Sequence, residues 1–390
     1  MKPLTSRERV IASLEHRQPD RVPIDLGGNQ TGIHVRAYKR VLEFLGIHED
    51  KTVLSHFTQQ LACPCDALLD RFNIDTRWVR PLAGYVDLDR QEPQHERGYV
   101  GKFDQFHVFW GQDEKKPIEG ILYYDPIIHP LADATSVQDI ERFAWPDGTD
   151  KAPLKGLKEV ARGLHEKTQF AVCSTAIGNT FETCTFLFGL VRAMKLVRMN
   201  PGLLIAAMNR LLEYWKDYNT TYLAEIGQFL DVACINGDLA GQDGPLINPA
   251  FYEKHIKPID AQLVMHVKKI APHLKLNYHS CGSVPVFIPH FASIGYTSIN
   301  PVQVSARDME PCSLKQRFGK SIAFWGGLCD SQRTLPFGTP EQVRSEVKKN
   351  MACFKPNGGF IAANIHNITA EVPAANIIAM FDAASEFGRY

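Results

Sequence analysis

The chain has 390 residues, 44% hydrophobic and 22% charged, the balance of a globular protein able to bury a sizeable core. Lys plus Arg and Asp plus Glu both number 43, and a net charge of zero argues against a nucleic-acid binder or a protein held on anionic membranes. No apolar run reaches the length of a membrane span, and the polar stretch from Met1 to Arg9 lacks the apolar core of a signal peptide, so a cytoplasmic location is expected. Nine scattered cysteines read as core residues or ligands, not as a disulfide framework.

In chain order, Ser6 is placed to cap a short helix with Val10, Ile11 and Leu14 on one face. Val22 to Leu26 is an apolar strand closed by Gly27-Gly28. Asn29, Gln30, Thr31 and His34 then hang from a loop, either as substrate contacts or as ordinary loop polarity. A helix resumes from Tyr38 to Leu45, and Ile74 to Val79 is the next strand. Cys63-Pro64-Cys65 lacks a matching second pair and reads as packing. From Gly84 to Tyr124, aromatic and charged residues alternate between glycines, the texture of a β-hairpin insertion.

A regular rhythm begins near Lys167. Strands are expected at Gln169 to Cys173, Phe229 to Ile235, Leu274 to Tyr278, Tyr296 to Ile299, Ser321 to Trp325 and Gly358 to Ala362. Helical stretches separate them, among them Phe181 to Met199, Pro249 to Ile270, Val284 to Phe291 and Ser313 to Phe318. A further helix is capped by Thr339 with Pro340 in its first turn. With the two earlier strands the count reaches eight, which predicts a (β/α)8 TIM barrel formed as a single domain over 1–390.

Such barrels carry their chemistry at the C-terminal strand ends. Asp238, His279 with Cys281, Asn300, Cys329 and His366 all fall there. His279 and Cys281 are two apart, so an extended chain points both to one face, where an imidazole and a thiolate can share one zinc ion. A buried histidine beside an inert cysteine is the plainer reading of that pair alone. Asp238 and Asp243 are candidates for acid–base or orienting roles, or simply for turn formation. Asn300 and Gln303 are candidate pocket residues, and Asn367 a candidate partner fixing His366.

Four stretches resemble one family: Arg21-Val22-Pro23-Ile24; His279-Ser280-Cys281-Gly282-Ser283-Val284; Gly326-Gly327 with Asp330 and Gly338-Thr339-Pro340-Glu341; and His366-Asn367-Ile368 ahead of Val372-Pro373 and Asn376-Ile377. Together they look like the uroporphyrinogen decarboxylase superfamily, and most like its zinc- and corrinoid-dependent methyltransferase branch. The resemblance implies a zinc held by His279, Cys281 and a third ligand after the last strand. His366 occupies that third position, where the coenzyme M methyltransferases usually carry cysteine, and Cys329 is a rival or fourth ligand.

The implied reaction moves a methyl group between a small methoxy, methylthio or thiol compound and the cobalamin of a partner corrinoid protein. A homodimer is implied in the same way. The decarboxylases carry an arginine-rich stretch after the first strand, where this chain has Gly27-Gly28-Asn29-Gln30-Thr31-Gly32, so a decarboxylase is the second reading. A non-catalytic ligand-binding barrel is the third.

Overall fold

The computed structural model describes residues 3–81, 93–115 and 123–390. Seven parallel strands, β1 (Thr76–Val79), β2 (Ala171–Asn179), β3 (Val232–Asn236), β4 (Lys275–His279), β5 (Ser298–Asn300), β6 (Ala323–Trp325) and β7 (Phe360–Ile361), are hydrogen-bonded in that order. Residues 22–26 stand between the two outer strands. The Asp25 amide donates to the Ala362 carbonyl at 2.9 Å, the Ala362 amide to Pro23 at 2.9 Å, and the Asp75 amide to Ile24 at 2.8 Å. These bonds bring the ends of the curled sheet together, so the fold is TIM-barrel-like with all eight expected strand positions in the ring.

Strands covered on both sides read as continuous apolar runs, and Val232 to Ile235 are accordingly buried throughout. A small core inside the ring joins Ala171, Cys173, Val232, Ala323, Trp325 and Ile361 to Val10 and Leu14 of the helix Ser6–Leu14. That helix therefore plugs the N-terminal end of the barrel. Its cap is Thr5, one residue before the expected Ser6. The Thr5 hydroxyl accepts from the Glu8 amide, and the Glu8 carboxylate accepts from the Thr5 amide. Arg9 locks the plug through Asp75 at 2.7 Å and Asp20 at 2.7 Å.

Asp25 sits fully buried above the plug and accepts from Trp78 Nε1 at 2.7 Å, Trp325 Nε1 at 2.8 Å, Thr31 Oγ1 at 2.7 Å and the Thr76 hydroxyl. Four donors around one carboxylate satisfy a group whose burial alone would be costly.

Several expected elements shift. The stretch Phe181 to Met199 is two helices, Phe181–Phe188 and Leu190–Met199, broken at Gly189 with φ +82°. The helix after β4 starts only at Ile288, because the preceding residues form turns. The insertion is a four-stranded antiparallel sheet, not a hairpin. Its strands Gln94–Glu96, Tyr99–Phe103, Phe109–Asp113 and Asp125–Ile128 pair in sequence order. Residues 84–92 and 116–122 of that expectation lie outside the described residues. Finally, Cys312 and Cys353 form a disulfide between helices Pro311–Phe318 and Pro340–Phe354, against the expectation of cysteines serving only as core or ligands. A separation of 41 residues left that pairing without a local sequence signal. Among the described residues no helix is long and apolar enough to cross a membrane.

Candidate metal centre and active site

Register aligns the strand ends. Asn179 pairs with Asn236, Asn236 with His279, and His279 with Asn300, so four neighbouring strands present one layer of polar residues at the C-terminal mouth. His279 Nδ1 lies 2.6 Å from Asn300 Oδ1. The Asn300 amide nitrogen donates to the Trp325 carbonyl at 3.2 Å, which fixes its oxygen toward His279. His279 therefore carries its proton on Nδ1 and turns the lone pair of Nε2 into the barrel mouth.

Cys281 Sγ is 3.6 Å from that Nε2. The His366 ring lies 5.8 Å from the His279 ring, centre to centre, and the ligand atoms of His279, Cys281 and His366 all fall within 4.8 Å of one another. Two imidazoles and one thiol suit zinc and leave a fourth position open. Burial, with His279 nearby, pulls His366 down to about 3, and burial also lowers His279, so both rings are neutral, as metal ligation requires. Burial, then the carboxylates Asp238 and Glu182, raises the Cys281 thiol well above its usual range. A cation at this spot reverses that balance by stabilising the thiolate.

The loop carrying Cys281 is held from three sides. The Cys281 amide donates to Asp238 Oδ1 at 2.8 Å, the Gly282 amide to Gln303 Oε1 at 2.8 Å, and the Ser283 amide to the Gly241 carbonyl at 2.9 Å. Gly282 has φ +85°, and a Cβ there would sit 2.5 Å from the Gly241 carbonyl oxygen. Only glycine lets this loop pack against residues 240–241.

The other expected site residues divide. Asp238 lies 4.0 Å from His279 Nε2 and faces the cavity. Asn300 and Gln303 act on His279 and on the Cys281 loop. Asn29 lines the cavity wall. Thr31 instead donates inward to Asp25, and His34 Nδ1 caps the helix Val35–Leu45 by accepting from the Arg36 amide. Asp243 stands on the turn between Ala240–Gly241 and Gly244–Pro245 with its side chain 94% exposed, beside Arg307 at 3.8 Å, away from the mouth. Cys329 is not brought to the His279 group. Its thiol points outward to Glu346 Oε2 at 3.6 Å on the helix Pro340–Phe354, because the loop after β6 turns back toward that helix. Asn367 leaves His366 alone and instead ties the first loop, accepting from the Gly32 amide at 2.7 Å and donating to the Asn29 carbonyl at 2.8 Å.

His279 and His366 floor a cavity of about 830 Å³. Its walls are aromatic: Phe103, Trp110 and Tyr124 come from the insertion and its flank, Tyr214, Trp215 and Tyr218 from the helix Pro201–Ile226. Glu182 and Asn179 also line it and were not anticipated. The residues Ser174 to Asn179 look like a loop, small, polar and broken by Gly178, yet they extend β2 to the mouth. Applying the strand-end rule at the true terminus would have found Asn179, and Glu182 three residues on. Asn179 Nδ2 donates to Glu182 Oε2 at 2.7 Å. Burial, then the charge of Asp238, pushes Glu182 up to about 8.

A family model described as uroporphyrinogen decarboxylase (URO-D) matches residues 125–387. No curated protein matches the chain. Among solved structures, a methyltransferase from Methanosarcina mazei superposes with a TM-score of 0.59 at 17% identity, covering 98% of this chain and 99% of that one. An endo-1,4-beta-xylanase from Penicillium canescens aligns with a TM-score of 0.38 at 11% identity, over 66% of this chain and 92% of its own. At these identities the likeness to the methyltransferase concerns the fold.

Proposed function

The chain belongs to the uroporphyrinogen decarboxylase family, and from that premise we propose that it is a zinc-dependent methyltransferase. It moves a methyl group between a small methoxy, methylthio or thiol compound and the cobalamin of a partner corrinoid protein. The observation that carries this reading is the meeting of His279, Cys281 and His366 at the barrel mouth with ligand atoms within 4.8 Å. The fold shared over nearly the whole chain with a methyltransferase supports it.

His279 and His366 supply neutral imidazoles and Cys281 a thiolate. Bound by them, zinc supplies Lewis acidity, lowering the pKa of a substrate thiol or polarising a methoxy or methylthio group. Asn300 holds His279 in the ligating tautomer, and Gln303 and Asp238 hold the Cys281 loop. The aromatic walls exclude water and orient the substrate's apolar part above that floor.

The family description favours a decarboxylase as the second reading. Among the described residues lining the cavity, however, none is Lys or Arg, whereas Asp125, Asp147, Asp150 and Asp238 bring carboxylates to it. A tetrapyrrole bearing many carboxylates would meet repulsion there, without the paired guanidinium groups that such a ligand needs.

The test incubates zinc-loaded protein with methylcobalamin and a panel of thiols, and with cob(I)alamin and a panel of methoxy and methylthio donors. Transfer that is lost in His279→Ala and Cys281→Ala supports the reading. Absence of transfer in every combination, with decarboxylation of uroporphyrinogen instead, replaces it with the second.

A further inference from the structure

Two carboxyl groups face the same cavity from neighbouring strand ends. Asp238 follows β3, accepts the Cys281 amide and lies 4.0 Å from His279. Glu182 follows β2 as the second residue of the helix Phe181–Phe188, and its Oε2 is gripped by Asn179 at 2.7 Å. Asn179 is itself fixed, because its carbonyl accepts from Trp215 Nε1 at 2.9 Å and its side-chain oxygen from the Thr183 amide at 3.1 Å. Asp238 holds the Cys281 loop through its carboxylate, while Glu182, which accepts the backbone amide of Asp238 and the side-chain amide of Asn179, is presented to the cavity on a rigid shelf. We propose that Glu182 is the catalytic proton donor of this site, delivering its proton to the oxygen that a methoxy substrate leaves behind when its methyl group departs.

The proposal rests on the methyl-transfer reading above and fixes its direction and donor class. The carbon–oxygen bond of the substrate breaks, and the methyl group passes without its bonding electrons to the cobalt(I) of the partner corrinoid protein, whose electron pair forms the new bond. The oxygen keeps the bonding pair and takes the proton from Glu182. The carboxylate left on Glu182 regains a proton from solvent. Two carboxyl groups held near each other ionise one at a time, and the one with the less polar surroundings keeps its proton. Burial and the charge of Asp238 act on Glu182 in that sense and outweigh the hydrogen bonds from Asn179 and the Asp238 amide, which act against it; the other titratable groups near it, Tyr278 on β4 and Cys281 just beyond β4, are raised by burial and add no positive charge.

The test compares wild type with Glu182→Gln on two aryl methyl ethers, methoxybenzene and 4-nitromethoxybenzene, with cob(I)alamin as acceptor. Methoxybenzene leaves as a basic phenolate and needs the proton. Its nitro derivative leaves as a stable anion and does not. The expected result is a loss of roughly 10²–10⁴-fold on methoxybenzene with little loss on the nitro compound. A second readout needs no turnover: difference infrared spectra of the metal-free protein at neutral pH should show a protonated carboxyl band that Glu182→Gln removes. Equal losses on both ethers, no loss on either, or a wild-type-minus-variant spectrum that lacks a protonated carboxyl band overturns the assignment of Glu182. If wild type demethylates neither ether but methylates thiols from methylcobalamin, the methyl-transfer reading stands and this proposal falls. If wild type transfers no methyl group at all, the broader reading falls as well.

Discussion

Asn300 faces His279 across 2.6 Å and is itself anchored to the Trp325 carbonyl at 3.2 Å. The pair transmits the order of the barrel wall into the imidazole, since Asn300 belongs to β5 and its anchor to β6. Removing the amide with Asn300→Ala frees the ring to rotate and to change tautomer. Zinc affinity should fall by about 10–100-fold, measured by competition with a chromophoric chelator. Unchanged affinity would mean that the amide has no part in presenting His279.

Asp25 gathers four donors inside the barrel, two of them indole N–H groups. Asp25→Ala leaves those donors buried and unpaired, each worth about 1–3 kcal/mol, so urea unfolding should show a loss of several kcal/mol or failure to fold. Asp25→Asn keeps the shape but turns its amide hydrogens toward donors, and should fall between. A variant with wild-type stability would contradict the assigned role.

Asp260 is buried, and burial pushes it up to about 7, with Thr180 as its hydrogen-bond donor. Its second oxygen and the hydroxyls of Tyr252 and Tyr296 are buried without partners. With the folded value above the unfolded one, the native state holds the proton more tightly between about pH 4 and 7. Stability therefore declines as pH rises through that window and levels off above it. Asp260→Asn should remove this decline, stabilising the protein at pH 8 by up to about 4 kcal/mol at 1.36 kcal/mol per pH unit while changing little at pH 4. Parallel urea curves for the two proteins at both pH values would contradict it.

Cys329 bonds to Glu346 and not to the His279 group. Cys329→Ser should therefore keep zinc affinity within about twofold of wild type, whereas losing a metal ligand outright is far more damaging. An equal loss in Cys329→Ser and His366→Ala would place the thiol at the metal after all.

The barrel was legible because each parallel strand is covered on both sides and so reads as an apolar run, and because Pro340 and Thr339 mark a helix start in plain chemistry. His279 and Cys281 were legible because their spacing puts them on one face and because they fall among other polar residues at successive strand ends. His366 was reached as a ligand only through the family resemblance, as the residue at the third-ligand position after the last strand. What stayed hidden depends on contacts distant in sequence. The polarity of Thr31 and His34 is spent on Asp25 and on a helix end, Cys329 turns toward a helix that follows it, and Glu182 reaches the mouth only because β2 runs six residues beyond its apolar part. The insertion showed its β texture, but not that its aromatic side chains would wall the cavity.

The central claim is that one thiol and two imidazoles share a zinc ion. Zinc-edge X-ray absorption on the zinc-loaded protein reads the ligand set directly. The account predicts one sulfur at about 2.3 Å and two histidine nitrogens at about 2.0–2.1 Å, with the sulfur signal lost in Cys281→Ser and kept in Cys329→Ser. A protein that binds no zinc, or a zinc shell without sulfur, would contradict it.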